Sequence, residues 1–156
     1  MPSPDAGLRL HATLQLPGGR VEDVRALFAR GESVVLQPGE ALMRLGENER
    51  ALYFVVSGAL EVASGAQLSQ TLGRLVREVP GAVIGEVALF DGRPRTASVW
   101  ATQRTELGKL PLAGLQDFVA THPRLGAELL FALGRVLALR YRRGEERNRQ
   151  AAALAG

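Results

Sequence analysis

Residues 85–99 read Gly-Glu-Val-Ala-Leu-Phe-Asp-Gly-Arg-Pro-Arg-Thr-Ala-Ser-Val, and this stretch decides how the rest of the chain is interpreted. A short apolar turn carries one acid, Glu86, and Arg95 follows it nine residues later, just before a β-branched strand. The first turn of a short helix offers free backbone N–H groups to an anion, and an arginine fork grips a phosphate from the side. A carboxylate accepts hydrogen bonds from a sugar hydroxyl. The layout therefore suits a phosphate attached to a sugar.

Short strands surround this stretch from about residue 32 to residue 110. Runs rich in valine, leucine, tyrosine and phenylalanine alternate there with turns, at Pro38-Gly39, Gly46-Glu47-Asn48, Ser57-Gly58 and Ser64-Gly65. Closely spaced strands with turn signals are typical of a sandwich or barrel rather than of βαβ units. The segment 83–91 interrupts the pattern, and it predicts a one-turn helix inside the barrel.

Helical periodicity flanks the β segment on both sides. A first helix is predicted over residues 20–31, and after Pro111 an apolar stripe of helical spacing runs up to Tyr141. We expect Gly144 to end the last helix, because glycine often terminates helices.

These patterns predict one domain over residues 9–143. Its parts are an N-terminal helix at 20–31, a β-roll at 32–110 and C-terminal helices at 111–143. Residues 1–8 are expected to form a flexible tail, and residues 144–156 a second tail.

This organisation resembles a known family. The stretch 85–99 looks like the phosphate-binding cassette of cyclic-nucleotide-binding domains, which are the sensor modules of catabolite activator proteins, cyclic-nucleotide-dependent kinases and cyclic-nucleotide-gated channels. Residues 35–63 match the family's first strands, and the resemblance continues through His122-Pro123 to about Arg143. It implies a mainly β fold with flanking helices, namely a jelly-roll-like β-barrel (double-stranded β-helix) that carries the cassette.

The resemblance also implies roles for residues of the cassette. Arg95 pairs with the cyclic phosphate, and Glu86 accepts the ribose 2′-OH. Gly85 lets the chain approach the sugar closely, while Val87 and Ala88 offer backbone N–H groups at the helix start. A structural alternative stays open, in which Arg95 and Glu86 form an ion pair in a barrel that binds nothing.

The residues after the arginine complete the predicted site. Thr96 stands where family members carry a hydroxyl that touches phosphate or a purine edge, and threonine there is found in members that favour the guanine nucleotide. Ala97 follows with a small side chain. Ser98 is expected on the same face as Thr96 by strand alternation.

A cover for the purine is expected from the last helix. Activator proteins use a Thr-Ser pair there, and this chain has Leu139 and Arg140 in that region instead. Channel-type members use an arginine on this helix, which makes Arg140 the predicted cap, with Arg142 or Arg143 as alternatives. Tyr141 could stack on a base or simply end the apolar stripe.

Composition excludes several classes of site. The chain has 156 residues, a formal net charge of +3 and no cysteine, which rules out disulfides, thiolate zinc sites and iron–sulfur clusters. His11 and His122 are far apart in sequence and make a poor metal set, so no metal is expected. With no secretory signal and no apolar run long enough for a bilayer, we expect a cytoplasmic protein without a membrane partner.

The resulting hypothesis is a sensor module. It binds a cyclic purine mononucleotide, cAMP or cGMP, needs no other cofactor, and transmits occupancy through the C-terminal helix to an unknown effector protein. Two alternatives stay open: a non-binding scaffold with the same fold that dimerises through that helix, and a sensor of a cyclic dinucleotide. Nothing indicates an enzyme, and too few residues follow Gly144 for a helix-turn-helix unit, so no DNA binding by this chain is expected.

Overall fold

A computed structural model describes residue 14, residues 21–64 and residues 76–156. In these ranges the chain forms eight strands, β1 (Glu32–Leu36), β2 (Ala41–Met43), β3 (Ala51–Ser57), β4 (Leu60–Ser64), β5 (Val76–Glu78), β6 (Val83–Ile84), β7 (Ala97–Ala101) and β8 (Thr105–Pro111). The helices are α1 (Val21–Phe28), α2 (Glu86–Asp91), α3 (Leu112–Thr121) and α4 (Pro123–Ala155).

The strands form two antiparallel sheets. One has the order β1-β8-β3-β6 and the other the order β2-β7-β4-β5. The predicted jelly-roll-like, mainly β fold with flanking helices is thereby confirmed. In the described part of the chain the two sheets are not joined into a closed barrel. The edge strands β5 and β6 have only three and two residues, so they offer few backbone groups for pairing across the gap.

The core has two parts that meet at β3. Leu52 and Phe54 belong to a cluster with the helices, which includes Leu115, Phe118, Leu129 and Leu133. Tyr53 and Val55 belong to a cluster on the other face of the sheet, together with Leu60, Ile84, Val99 and Leu107. Because side chains alternate along a strand, an almost continuously apolar strand such as β3 indicates burial on both faces. The helices therefore pack on one sheet and leave the space between the two sheets for the site.

The end of the last helix differs from the expectation. The prediction that the last helix ends at Gly144 and that a tail follows over 144–156 is wrong, because α4 continues to Ala155. Gly144 is not among the glycines with positive φ, so it does not adopt the left-handed conformation of a helix cap. A glycine inside a helix costs only about 1 kcal/mol relative to alanine. Arginines and glutamates flank Gly144, and these good helix formers compensate for that cost, so the helix continues past it.

The beginning of the chain agrees where it is described. The helix predicted over 20–31 is observed as α1, which ends in a turn where Arg30 N–H donates to Leu27 O over 3.1 Å. The flexible tail predicted for residues 1–8 lies outside the described residues, and the domain limits 9–143 stay a prediction. In the part of the chain that is described, no helix combines the length and apolar character needed to cross a bilayer.

Candidate functional site

A cavity of about 500 Å³ opens between the two sheets and α4. Its volume falls within the range of about 300–1,000 Å³ that is common for small-molecule sites. All eight site residues proposed from the sequence line it: Gly85, Glu86, Val87, Ala88, Arg95, Thr96, Ala97 and Arg140. The structure thus brings these residues together around one space, while their roles stay predictions.

The turn into α2 has a conformation that requires glycine. Gly85 has a φ of 91°, in the left-handed region. A Cβ placed on it would lie 2.6 Å from Arg95 Nη1 and 2.8 Å from Ala51 O. The first helical bond runs from Leu89 N–H to Gly85 O, over 3.2 Å. The N–H groups before Leu89 therefore have no acceptor within the helix.

Arg95 is buried, and one of its N–H donors has no hydrogen-bond partner among the described residues. Its side chain is 2% exposed. Nη1 donates to Gly85 O at 3.2 Å, and Nη2 donates to Ala51 O at 3.1 Å and to Glu49 Oε2 at 3.3 Å. The buried Nε has no hydrogen-bond partner among the described residues. A buried N–H donor without an acceptor is costly, so this atom is a candidate donor to a ligand oxygen.

Glu49, in the loop before β3, supports Arg95. Its carboxylate accepts from Lys109 Nζ at 2.6 Å and from the Tyr53 hydroxyl at 2.8 Å. Burial by itself would raise the pKa of Glu49, but the hydrogen bonds from Lys109, Tyr53 and Arg95 outweigh it and lower the pKa below its usual value. Burial, helped by the bond to Glu49, raises the pKa of Tyr53 to about 12. Glu49 is therefore an ionised acceptor for Arg95 at neutral pH.

Arg140 reaches the cavity from α4. Nη1 donates to Glu86 Oε1 at 2.6 Å, while Nη2 donates to Val83 O at 2.6 Å and to Glu78 Oε1 at 3.3 Å. The alternative that pairs Glu86 with Arg95 is wrong: Glu86 pairs with Arg140, and Arg95 pairs with Glu49. The reason is the position of α4, which sequence periodicity alone does not give. Burial raises the pKa of Glu78, although Arg140 acts to lower it.

Two expectations about neighbouring residues need correction. Ser98 does not line the cavity; its hydroxyl accepts from Leu45 N–H at 3.0 Å. β7 begins at Ala97, so Ala97 and Val99 share the face toward the cavity, and Thr96 lies just before the strand. Of the alternatives to Arg140, Arg143 lines the cavity and Arg142 does not.

Sequence reasoning missed two carboxylates of the site, Glu49 and Glu78. Glu78 shares a strand face with Val76, and strand alternation in Val-Arg-Glu was a signal that could have found it. Glu49 lies in the loop before β3, and no local pattern links it to Arg95. The absence of a metal site stays a prediction, and of the two histidines His11 lies outside the described residues. His122 stacks on Phe118, with ring centroids 4.9 Å apart.

Comparison with known proteins gives a consistent result. The sequence profile of the cyclic nucleotide-binding domain matches residues 33–122. The chain is 36% identical over 109 residues to a cyclic nucleotide-gated potassium channel of Mesorhizobium japonicum, which covers 70% of this chain and 27% of the channel. It is 28% identical over 120 residues to a CRP-like cAMP-activated global transcriptional regulator of Mycobacterium tuberculosis, which covers 77% of this chain and 51% of the regulator.

Solved structures with the same fold include a cyclic nucleotide-binding domain from Methylobacillus flagellatus. The TM-score is 0.79 with 25% identity, over 92% of this chain and 83% of that one. The catabolite activator protein of Thermus thermophilus gives a TM-score of 0.73 with 22% identity, over 92% of this chain and 63% of that protein, which is a likeness of fold. The chain spans between about a quarter and a half of the length of the two curated relatives.

Proposed function

The chain belongs to the cyclic nucleotide-binding domain family, and we propose that it binds a cyclic purine mononucleotide, cAMP or cGMP, and acts as a regulatory sensor module. Two of its relatives are named as a cyclic nucleotide-gated channel and as a cAMP-activated regulator, which supports a sensor. Binding without catalysis and a cytoplasmic location are part of the hypothesis and stay predictions.

The observation that carries the proposal is the unsatisfied Nε of Arg95. A guanidinium at 2% exposure with an unpartnered donor would be costly in a protein that binds nothing. A cyclic phosphodiester spreads one negative charge over two free oxygens, which suits an arginine. The phosphate would accept from Arg95 and from the free N–H groups of Val87 and Ala88 at the start of α2.

The sugar would lie beside Glu86. This carboxylate is buried and lines the cavity next to the turn at Gly85. Its Oε1 already accepts from Arg140, but a carboxylate has about four lone-pair sites, so it can also accept from a ribose hydroxyl. A phosphate in the same place would be repelled, which supports the sugar at Glu86 and the phosphate at Arg95.

The route of the signal would be Arg140. This arginine belongs to α4 and holds the helix to Glu86 on α2 and to Val83 on β6. A ligand that bonds to Glu86 and fills the space below α4 changes the interactions that fix the helix. The ligand shifts α4 between two arrangements only as far as its affinities for them differ.

Calorimetric titration with cAMP and with cGMP tests the proposal. We expect the wild type to bind at least one of them. Arg95→Ala should weaken binding by about tenfold to a hundredfold, because hydrogen bonds to charged groups contribute about 1.5–3 kcal/mol. Arg93→Ala is the matched control, since Arg93 is an exposed arginine in the same loop that does not line the cavity.

Absence of binding to either nucleotide, by a wild-type protein with native circular dichroism, would refute the sensor hypothesis. A cyclic dinucleotide belongs in the same titration as the alternative ligand; selective binding of it would replace the mononucleotide. A 2′-deoxy analogue tests Glu86, and an affinity equal to that of the ribonucleotide would contradict the ribose contact.

The second candidate function, a dimerisation domain, is favoured by the outer face of α4. Residues spaced by four and three form an exposed seam on this helix, namely Ala127, Phe131, Gly134 and Ala138. Phe131 on this seam is 85% exposed, whereas Tyr141, which is 70% exposed, lines the cavity. No atom lies within 4 Å of a Cβ placed on Gly134, so a second helix could approach closely there.

Light scattering after gel filtration tests the dimer. We expect a dimer of the wild type, a monomer for Phe131→Glu, and an unchanged dimer for Leu154→Glu. Leu154 is the matched control because it is equally exposed on the same helix but lies off the seam. A monomeric wild type at high concentration would contradict dimerisation through α4 and leave the sensor hypothesis untouched.

A further inference from the structure

Glu78 is the second carboxylate on the cavity wall, and neither the sequence analysis nor the proposed function uses it. It belongs to β5, its side chain is 20% exposed, and it lies 3.3 Å from Arg140. Among the described residues that line the cavity, Glu78 and Glu86 are the two acids. The cavity lining also includes the apolar side chains of Val62, Val76 and Leu137, and Val62 pairs with Val76 on the two strands that carry this part of the wall. A carboxylate beside an apolar wall is suited to orient the polar edge of a flat ring that packs on that wall.

A chain of contacts leads from Arg95, through Glu86 and Arg140, to Glu78. Arg95 Nη1 donates to Gly85 O, and Glu86 is the next residue. Glu86 accepts from Arg140 Nη1, and Arg140 Nη2 reaches Glu78. If the phosphate lies at Arg95 and the ribose at Glu86, as the proposed function holds, the base extends toward Arg140 and Glu78. This step rests on the proposed function.

The contacts of Arg140 leave Glu78 able to bind a ligand. Arg140 is anchored by two bonds of 2.6 Å, to Glu86 and to Val83 O, whereas its contact with Glu78 Oε1 is 3.3 Å. The carboxylate of Glu78 therefore keeps most of its acceptor capacity. The cavity end thus offers an ionic acceptor and a fixed cationic donor next to each other.

This pairing is complementary to guanine. The N1–H and the N2 amino group of guanine are adjacent donors that match the two oxygens of a carboxylate, and its O6 and N7 are acceptors that match a guanidinium. Adenine presents an acceptor at N1, which a carboxylate repels, and a single amino group at N6. We propose that Glu78, with Arg140 beside it, reads the base of the ligand and makes the site selective for cGMP over cAMP.

Competition between cGMP and cAMP in calorimetric titrations tests this inference. We expect the wild type to bind cGMP at least about tenfold more tightly than cAMP, the discrimination typical of a bidentate contact to one base. Glu78→Gln should reduce that ratio to less than about threefold by weakening cGMP rather than cAMP. The matched control is Glu61→Gln, because Glu61 lies on the adjacent strand β4, next to Val62, and does not line the cavity.

Ligand analogues test the same contact on the wild type, without any variant. Cyclic inosine monophosphate lacks the N2 amino group, and N1-methylated cGMP lacks the N1 donor. Both should bind more weakly than cGMP if a carboxylate accepts from these groups.

The outcomes separate this inference from the proposed function. Equal or tighter binding of cAMP overturns the selectivity for guanine and leaves the sensor hypothesis intact. Tight cGMP binding that neither Glu78→Gln nor the two analogues weaken overturns the role of Glu78. If neither nucleotide binds the wild type, the proposed function fails, and the inference fails with it.

Discussion

The two ends of the cavity hold their arginines in different ways. Arg95 donates to Gly85 O, Ala51 O and Glu49, all of which belong to the β-roll and its cassette. Arg140 is 32% exposed and comes from α4, so its bonds to Glu86 and Val83 O join two parts of the molecule. One arginine is fixed by the sheet framework, and the other is fixed only while the helix lies over the cavity.

Under the proposed function, this difference would separate ligand binding from the response of the helix. The Arg95 end is preorganised, because its guanidinium is held by backbone oxygens before any ligand arrives, and little order remains to be created on binding. The Arg140 end is conditional, because its contacts depend on the position of a helix. A sensor needs both: one end that captures the ligand and one end whose contacts differ between states.

The largest effect is expected at the preorganised end. Gly85→Ala should lower the free energy of unfolding by about 2–4 kcal/mol, because it adds strain at positive φ to a clash with Arg95 Nη1 and Ala51 O. It should also abolish nucleotide binding, since Arg95 must move. Urea unfolding and calorimetry measure the two effects.

Gly144→Ala is the control for this substitution. A Cβ at Gly144 meets no atom within 4 Å, so alanine there should stabilise the protein by up to about 1 kcal/mol through helix propensity. If Gly85→Ala bound nucleotide like the wild type, the Arg95 end would not be as rigid as the comparison requires.

A smaller effect is expected at the conditional end. Arg140→Ala removes the anchors to Glu86 and Val83 O, so backbone amides of residues 133–143 should exchange faster with deuterium in the ligand-free protein. Affinity for nucleotide should change by less than about tenfold, because the arginine gives up contacts in the free state too. Arg142→Ala, an exposed neighbour outside the cavity, should change neither.

The comparison would break if Arg140→Ala lost as much affinity as Arg95→Ala. It would also break if exchange in α4 stayed at the wild-type rate. In the first case Arg140 would serve mainly to bind the ligand, and in the second case the helix would be held by its apolar contacts alone.

The smallest effect concerns the acids that support the two arginines. The pKa of Glu49 is lowered, so its contribution to stability is present above its unfolded-state value of 4.5 and is lost as the pH falls through the folded value. The pKa of Glu78 is raised by burial, so its contribution has the opposite sign and is lost as the pH rises through its folded value, above 4.5.

Unfolding of Glu49→Gln and Glu78→Gln across pH 3–8 measures this contrast. Glu49→Gln should destabilise at pH 7 by under about 1 kcal/mol, because Glu49 is partly exposed, and this deficit should vanish in acid. The stability of Glu78→Gln relative to the wild type should be higher at pH 7 than in acid. The charges of Arg140, Glu86 and Arg143 also affect the pKa of Glu78. Parallel pH profiles for the two variants would contradict the assignment.

Much of the site followed from sequence because its residues lie close together along the chain. Gly85, Glu86 and Arg95 fall within eleven positions, and the turn and short helix between them bring them to one cavity. Arg140 was found by resemblance, and the structure does place it on that cavity. The sequence analysis missed Glu49 and Glu78. Glu49 contacts Arg95 and Glu78 contacts Arg140 because of how the strands pair and where α4 packs, and no local pattern encodes either.

The errors share the same origin. Gly144 has the composition of a helix end, but its neighbours keep the helix continuous to Ala155. Ser98 was assigned to the face of Thr96, but Thr96 lies before the strand and Ala97 and Val99 face the cavity, so the Ser98 hydroxyl accepts from Leu45 N–H instead. In both cases a local rule was insufficient, because helix ends and strand faces depend on packing and pairing.

The sequence by itself determined the class of fold and the cassette residues of the cavity, because strand alternation, turn residues and a short cassette act over a few residues. Only the tertiary structure decided which acid faces which arginine. Glu49 pairs with Arg95, which lies 46 residues away in sequence. Arg140 pairs with Glu78 and with Glu86, which lie 62 and 54 residues away. Such ion pairs depend on how the sheets and α4 pack. Charged residues do not recur at a regular spacing in the sequence, so the sequence does not indicate which residue each of them pairs with.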